Sequence, residues 1–222
     1  MKIRCFGLLF LISFVASTQS LPKGFVDLSD IDASIQKELR YFTNNNFIGQ
    51  PIDGYHKDMV ILTKKTALAL QKVQQQFLKD SLSLQIFDAY RPQKAVDHFV
   101  KWAKDLKDTL RKQDYYPNLL KSELFAQGYI ASKSGHTRGS TVDLTLVNLK
   151  TDQEVDMGST YDFFGKISHP YNKGITEIQQ KNRRLLRTVM QENGFQPYEN
   201  EWWHFTLKKE PFPKTYFNFP IE

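Results

Sequence analysis

Residues 134–143 read SGHTRGSTVD and residues 201–204 read EWWH, and these two stretches decide how the rest of the chain is read. Together they offer two imidazoles and two carboxylates, the donor chemistry of a single metal ion. Catalytic zinc takes three protein ligands from His, Asp and Glu and leaves a fourth position for water. His136, Asp143 and His204 are the candidate ligands, and Glu201 is the candidate general base beside that water. Gly135 and Gly139 flank His136 and free the backbone to curl, so a loop histidine and a strand aspartate seven positions apart approach one ion only if the chain turns between them. One geometric step is awkward. If residues 201–207 form a strand, Glu201 and His204 face opposite ways unless Glu201 lies at a twisted start or on a bulge. His56, His98 and His169 fall into no comparable group.

Outward from these stretches, residues 141–147 read as a strand, and residues 82–87, apolar and polar in alternation up to Ile86, read as another. Ala67, Leu68, Leu70, Val73 and Phe77 recur at helical spacing over residues 63–79. The 82–87 strand runs into Asp88-Ala89-Tyr90-Arg91-Pro92, and Ala95, Phe99, Trp102 and Leu106 continue at three-to-four residue spacing. Arg91 is thus expected at a strand end just before a helix, where a scaffold aims a side chain into a cleft. Residues 107–127 read as helix interrupted at Tyr115-Tyr116-Pro117, with no legible role. Residues 175–193 read as an amphipathic helix, with Ile178, Leu185, Leu186, Val189 and Met190 facing the core and Gly194 as its stop. Residues 21–56 read as irregular. The fold class is α+β: an antiparallel sheet containing the strands at Leu82, Thr141 and Glu201, with helices packed to one side.

The first twenty residues, MKIRCFGLLFLISFVASTQS, place Lys2 and Arg4 before an apolar run from Leu8 to Ala16 and then small polar residues. That order is a secretory signal peptide cleaved between Ser17 and Ser20. Cys5, the single cysteine, lies inside it, so the mature chain has no disulfide. The remaining 202 residues (222 − 20) suit one domain, residues 21–222. Its net charge is 28 − 24 = +4, a mild excess spread along the chain. Lys181, Arg183, Arg184 and Arg187 read as a solvated helix face, and no nucleic-acid module accompanies the charge. The expected compartment is outside the inner membrane, the periplasm, with secretion as the alternative and no stable membrane insertion after cleavage.

The pattern Ser134-x-His136-x-x-Gly139-x-x-x-Asp143 with Glu201-Trp202-Trp203-His204 resembles the signature of the zinc D,D-peptidases. The DAYRP segment at Asp88, Asp156-Met157-Gly158 through Asp162-Phe163-Phe164, and YFTNNNFIG at Tyr41 are similar, more narrowly, to the VanX-type D-alanyl-D-alanine dipeptidases. Thr141 departs from the pattern, which has a small residue there. The resemblance implies one Zn2+ on His136, Asp143 and His204, with Glu201 as base and Arg91 stabilising the negative charge on the peptide oxygen. It also implies that Asp162 and Ser134 receive the free ammonium of a small dipeptide, while Asp88 and Tyr41 shape the pocket. A D,D-carboxypeptidase acting on peptidoglycan stem peptides would use the same chemistry. A catalytically silent wall-binding module would be expected to lack Glu201 or Arg91, and both are present.

Overall fold

A computed structural model describes residues 21–222; the signal peptide expected over residues 1–20 lies outside the described residues. In chain order these residues form β1 (Phe25–Asp27), β2 (Gln36–Lys37), β3 (Ile61–Thr63), α1 (Lys64–Phe77) and β4 (Leu82–Asp88). There follow α2 (Gln93–Lys104), α3 (Lys112–Tyr115), β5 (Thr141–Asn148), β6 (Gln153–Glu154), α4 (Glu177–Glu192), β7 (Phe195–Pro197) and β8 (His204–Leu207). Among the described residues no helix is long and apolar enough to cross a membrane.

The main sheet has the order β2-β4-β5-β8-β7, with β6 paired to β5; β1 and β3 form a separate antiparallel pair. The β-branched run of β5 is buried from Thr141 to Val147, as a strand at the centre of a sheet must be. Leu84 and Ile86 of β4 stand opposite Leu146 and Leu144 of β5, all four fully buried. Against this layer α1 buries Leu70, Val73 and Phe77, and α4 packs on β7 and α1 with Leu186 and Met190. Each such side chain contributes roughly 1.5–3 kcal/mol by leaving water. The capping box of Thr176 with Gln179 starts α4.

The antiparallel sheet and its helical layer match the expected class, with differences that have physical causes. β2 joins the edge in parallel to β4, and β1 and β2 lie in a stretch expected to be irregular, where two- and three-residue strands leave no periodic pattern to read. α2 lines the cleft instead of joining the α1 and α4 layer: its Phe99 ring lies 5.0 Å from that of Tyr41. α2 stops at Lys104, leaving Leu106 60% exposed. Lys121 Nζ donates to the carbonyls of Asp105 and Asp108, which draws the chain into turns, and residues 107–127 form only α3 and short turns. On α4, Ile178 is 71% exposed and Leu185 is exposed as well, because the inward stripe runs through Arg183, Leu186 and Met190. Arg183, expected on a solvated face, is 2% exposed and donates to the carbonyls of Met157, Ile167 and His169.

Two local devices aim side chains at the cleft. Between Ile86↔Leu144 and Asp88↔Asp143 the register slips by one residue, a β-bulge that places Asp88 directly opposite Asp143. At the other end of the site, the 3-10 turn His136–Arg138 closes on Gly139, whose φ of 75° is left-handed. A Cβ on Gly139 would lie 2.2 Å from Cε1 of Phe25. Gly139→Ala therefore combines a left-handed backbone penalty with overpacking, and urea unfolding of the variant is expected to show a loss of roughly 2–5 kcal/mol. A loss below about 1 kcal/mol would mean that this turn is not constrained as described.

Candidate active site

His136, on its 3-10 turn, and Asp143, near the start of β5, come together because Gly139 reverses the chain between them. His204 opens β8 directly opposite Asp143. The strand expected from Glu201 begins only at His204, and residues 201–204 close a turn in which the His204 amide donates to the Glu201 carbonyl at 3.4 Å. The turn resolves the parity difficulty: Glu201 Oε2 lies 3.3 Å from His204 Nδ1.

The donor atoms form a tight triangle. Asp143 Oδ1 is 3.1 Å from His204 Nδ1 and 3.3 Å from His136 Nε2, and the two nitrogens are 3.3 Å apart. A tetrahedral ion with bonds of roughly 2.0–2.1 Å separates its ligands by about 3.3–3.4 Å, so the triangle has the size of one face of such a shell. Asp143 Oδ1 is buried and has no hydrogen-bond partner. A buried carboxylate oxygen facing two imidazole nitrogens is costly unless a cation lies among them, and the three side chains therefore fit a divalent ion. His136 Nδ1 lies 2.7 Å from the Ala89 carbonyl, which fixes the proton on that nitrogen and leaves Nε2 free to ligate.

The electrostatics follow from burial and proximity. Burial would raise the Asp143 carboxyl, but His136 and His204 outweigh it and hold it well below the usual range. Burial works against a charged His204, yet Asp143 and Glu201 push it up to about 9. Burial pushes Asp88 up, opposed by Arg91 and His136. For Asp162, burial and then the nearby Asp143 and Glu201 carboxylates drive the carboxyl well above its ordinary value.

Behind the triangle, Asp88 Oδ2 accepts from Nε and Nη2 of Arg91, each at 2.9 Å, while Tyr55 donates to Oδ1 at 2.6 Å. This clasp holds the guanidinium 3.6 Å from Asp143 Oδ2, its Cζ 5.0 Å over the Tyr41 ring. Ser134 Oγ accepts from the His136 amide at 3.2 Å. Asp162 has a left-handed φ of 58° and is buried, and its Oδ2 accepts from the Tyr41 hydroxyl at 2.9 Å; among the described residues it forms no ion pair. A cleft of about 240 Å³ is lined by Tyr41, Arg91, Ser134, His136, Asp143, Asp162, Glu201 and His204, with Phe47, Phe99 and Phe164 as apolar walls. Asp88 does not line it and acts on it through Arg91.

Sequence reasoning did not single out Tyr161, whose hydroxyl lies 3.1 Å from Asp143 Oδ2, nor Tyr55 and the Ala89 carbonyl. A backbone carbonyl has no residue-type signal, and Tyr161 is one aromatic residue among several in its loop.

The Peptidase_M15 model, described as D-ala-D-ala dipeptidase, matches residues 22–222. The chain is 45% identical over 201 residues to a D-alanyl-D-alanine dipeptidase of Enterococcus faecalis, covering 90% of this chain and all of that one. It is 41% identical to enzymes of the same name from Enterococcus faecium and Streptomyces coelicolor, covering 90% and 89% of this chain and 98% of each relative. With a match that spans the described chain, and with the donor triangle, Arg91 and Asp162 gathered in one cleft, the chain belongs to the Peptidase_M15 family of D-ala-D-ala dipeptidases.

Proposed function

We propose that this protein hydrolyses the D-alanyl-D-alanine dipeptide to free D-alanine, using one zinc ion held by His136, Asp143 and His204. The single observation that carries the reading is the donor triangle, with edges of 3.1–3.3 Å, set beside a buried carboxylate, Asp162, that forms no ion pair among the described residues. When bound, zinc would polarise the scissile carbonyl and lower the pKa of a water from near 16 to about 7.

The chain's own groups supply the rest. Glu201 takes the proton of the attacking water and delivers it to the leaving amine. Arg91, fixed by Asp88, presents its guanidinium where negative charge appears on the peptide oxygen only in the transition state, so its attraction lowers the barrier rather than merely tightening binding. Asp162 receives the free ammonium of the substrate. An acylated amine would leave this buried carboxylate without its cation, which disfavours longer peptides by several kcal/mol. This distinguishes a dipeptidase from a carboxypeptidase acting on stem peptides. Ser134 and Tyr41 border the same space, with Tyr41 orienting Asp162 by its 2.9 Å hydrogen bond.

Residues 1–20 carry the pattern of a signal peptide, which supports export across the inner membrane, most simply to the periplasm. There the dipeptide would come from wall turnover, and the activity would recycle or scavenge D-alanine. Cell fractionation tests this: activity confined to the cytosol would contradict export.

Glu201→Gln keeps the shape of the base but not its basicity, so the variant should retain zinc while kcat falls by on the order of 10²-fold or more. Full turnover by a zinc-loaded Glu201→Gln protein would remove Glu201 from the mechanism. Asp162→Asn should raise KM for D-Ala-D-Ala by on the order of 10²-fold and narrow the preference for the free dipeptide over its N-acetyl form. Because the folded protein raises the Asp162 pKa, the ionised form costs stability as pH rises through that value. Asp162→Asn should therefore raise Tm, and more so at higher pH. An unchanged KM would contradict the amine assignment.

A further inference from the structure

Tyr161 is not required by the chemistry above, yet its hydroxyl lies between the two carboxylates that matter most. It is 3.1 Å from Oδ2 of Asp143 and 3.1 Å from the hydroxyl of Tyr41, which in turn donates to Oδ2 of Asp162 at 2.9 Å. Asp143, Tyr161, Tyr41 and Asp162 thus form one continuous buried chain from a metal-ligand carboxylate to the amine-receiving carboxylate. Packing holds the Tyr161 ring independently of its hydroxyl: it is stacked on Phe87 with centroids 4.6 Å apart and meets Trp203 edge-on at 5.4 Å.

We propose that the Tyr161 hydroxyl is a positioning group that ties recognition of the substrate's free amine to the metal centre. Asp143 has two oxygens with different surroundings. Oδ1 faces the imidazoles and has no hydrogen-bond partner, whereas Oδ2 faces the Tyr161 hydroxyl, with Arg91 Nη2 at 3.6 Å. Donation from Tyr161 to Oδ2 fixes the rotation of the carboxylate, so that Oδ1 alone is presented to the ion. Outer hydrogen bonds of this kind change metal affinity by about 10–100-fold. Tyr161 can give its single proton either to Asp143 Oδ2 or to the Tyr41 oxygen, and Tyr41 gives its own to Asp162. Each tyrosine has one proton to give, and the two oxygens touch, so a change at Asp162 alters the bonds open to Tyr41 and hence to Tyr161. Removing the Tyr161 hydroxyl should leave each end of the chain less well oriented without moving the rings.

The substrate half of this inference rests on the dipeptidase reading; the metal half does not. The test is Tyr161→Phe in the mature chain, with Tyr90→Phe as control, since Tyr90 loses a comparable buried hydroxyl bond, to the Phe219 carbonyl at 3.0 Å. Chelator competition should show the zinc dissociation constant of Tyr161→Phe raised by about 10–100-fold, with the control unchanged. With zinc saturating, KM for D-Ala-D-Ala should rise by about fivefold or more, and this KM effect should disappear in an Asp162→Asn background. Zinc affinity within about twofold of wild type, equal losses in Tyr90→Phe, or fully additive KM effects would each overturn the proposal. If the wild-type protein does not cleave the dipeptide, the dipeptidase reading fails, and zinc affinity still decides the metal half.

Discussion

A carboxylate oxygen buried between two imidazole nitrogens is the constraint on which the site depends. Asp143 Oδ1 has no hydrogen-bond donor, and the nitrogens facing it are 3.1 and 3.3 Å away. The cleft and its backing gather four carboxylates, Asp88, Asp143, Asp162 and Glu201, around Arg91, with Lys133 also on the lining. Buried carboxylates are costly unless cations meet them, and a divalent ion and a substrate ammonium are the cations that the proposed function supplies.

The fold supplies what such a site needs. β5 is buried along nearly its whole length and fixes Asp143; β8, hydrogen-bonded to it, fixes His204; and the bulge in β4 turns Asp88 toward the same face. The remaining contributors lie on loops, each tied down. Gly139 lets the His136 turn pack against Phe25, Asp88 clasps Arg91, and Arg183 gathers three carbonyls flanking the segment that carries Asp162. A permanent cation 2% exposed and bonded to carbonyls is an unusual way to hold a loop, and burial accordingly pulls its pKa down to about 10.

What could be read in the sequence and what could not divide along physical lines. The candidate ligands and Glu201 are particular residue types at particular spacings, so their chemistry was visible before their geometry, whereas a role for Arg91 came only with the family resemblance. The strand parity of Glu201 and His204 misled because a turn, invisible to periodicity, replaces the first half of the expected strand. Arg183 was misread because charge ordinarily signals solvent, and only the carbonyls of a distant loop make its burial tolerable. Leu106 and Ile178 lie at helical spacing but beyond or beside the packed stripe. Tyr161 carried no signal, since a second partner for a carboxylate is a property of tertiary structure alone.

The central claim is that Asp143 and the two histidines hold one catalytic ion. Titrating the metal-stripped mature protein with zinc, alongside Asp143→Ala, tests it most directly. One tightly bound zinc per chain in the wild type, and none at comparable affinity in the variant, is the predicted result. Equal stoichiometry and affinity in the two proteins would contradict it.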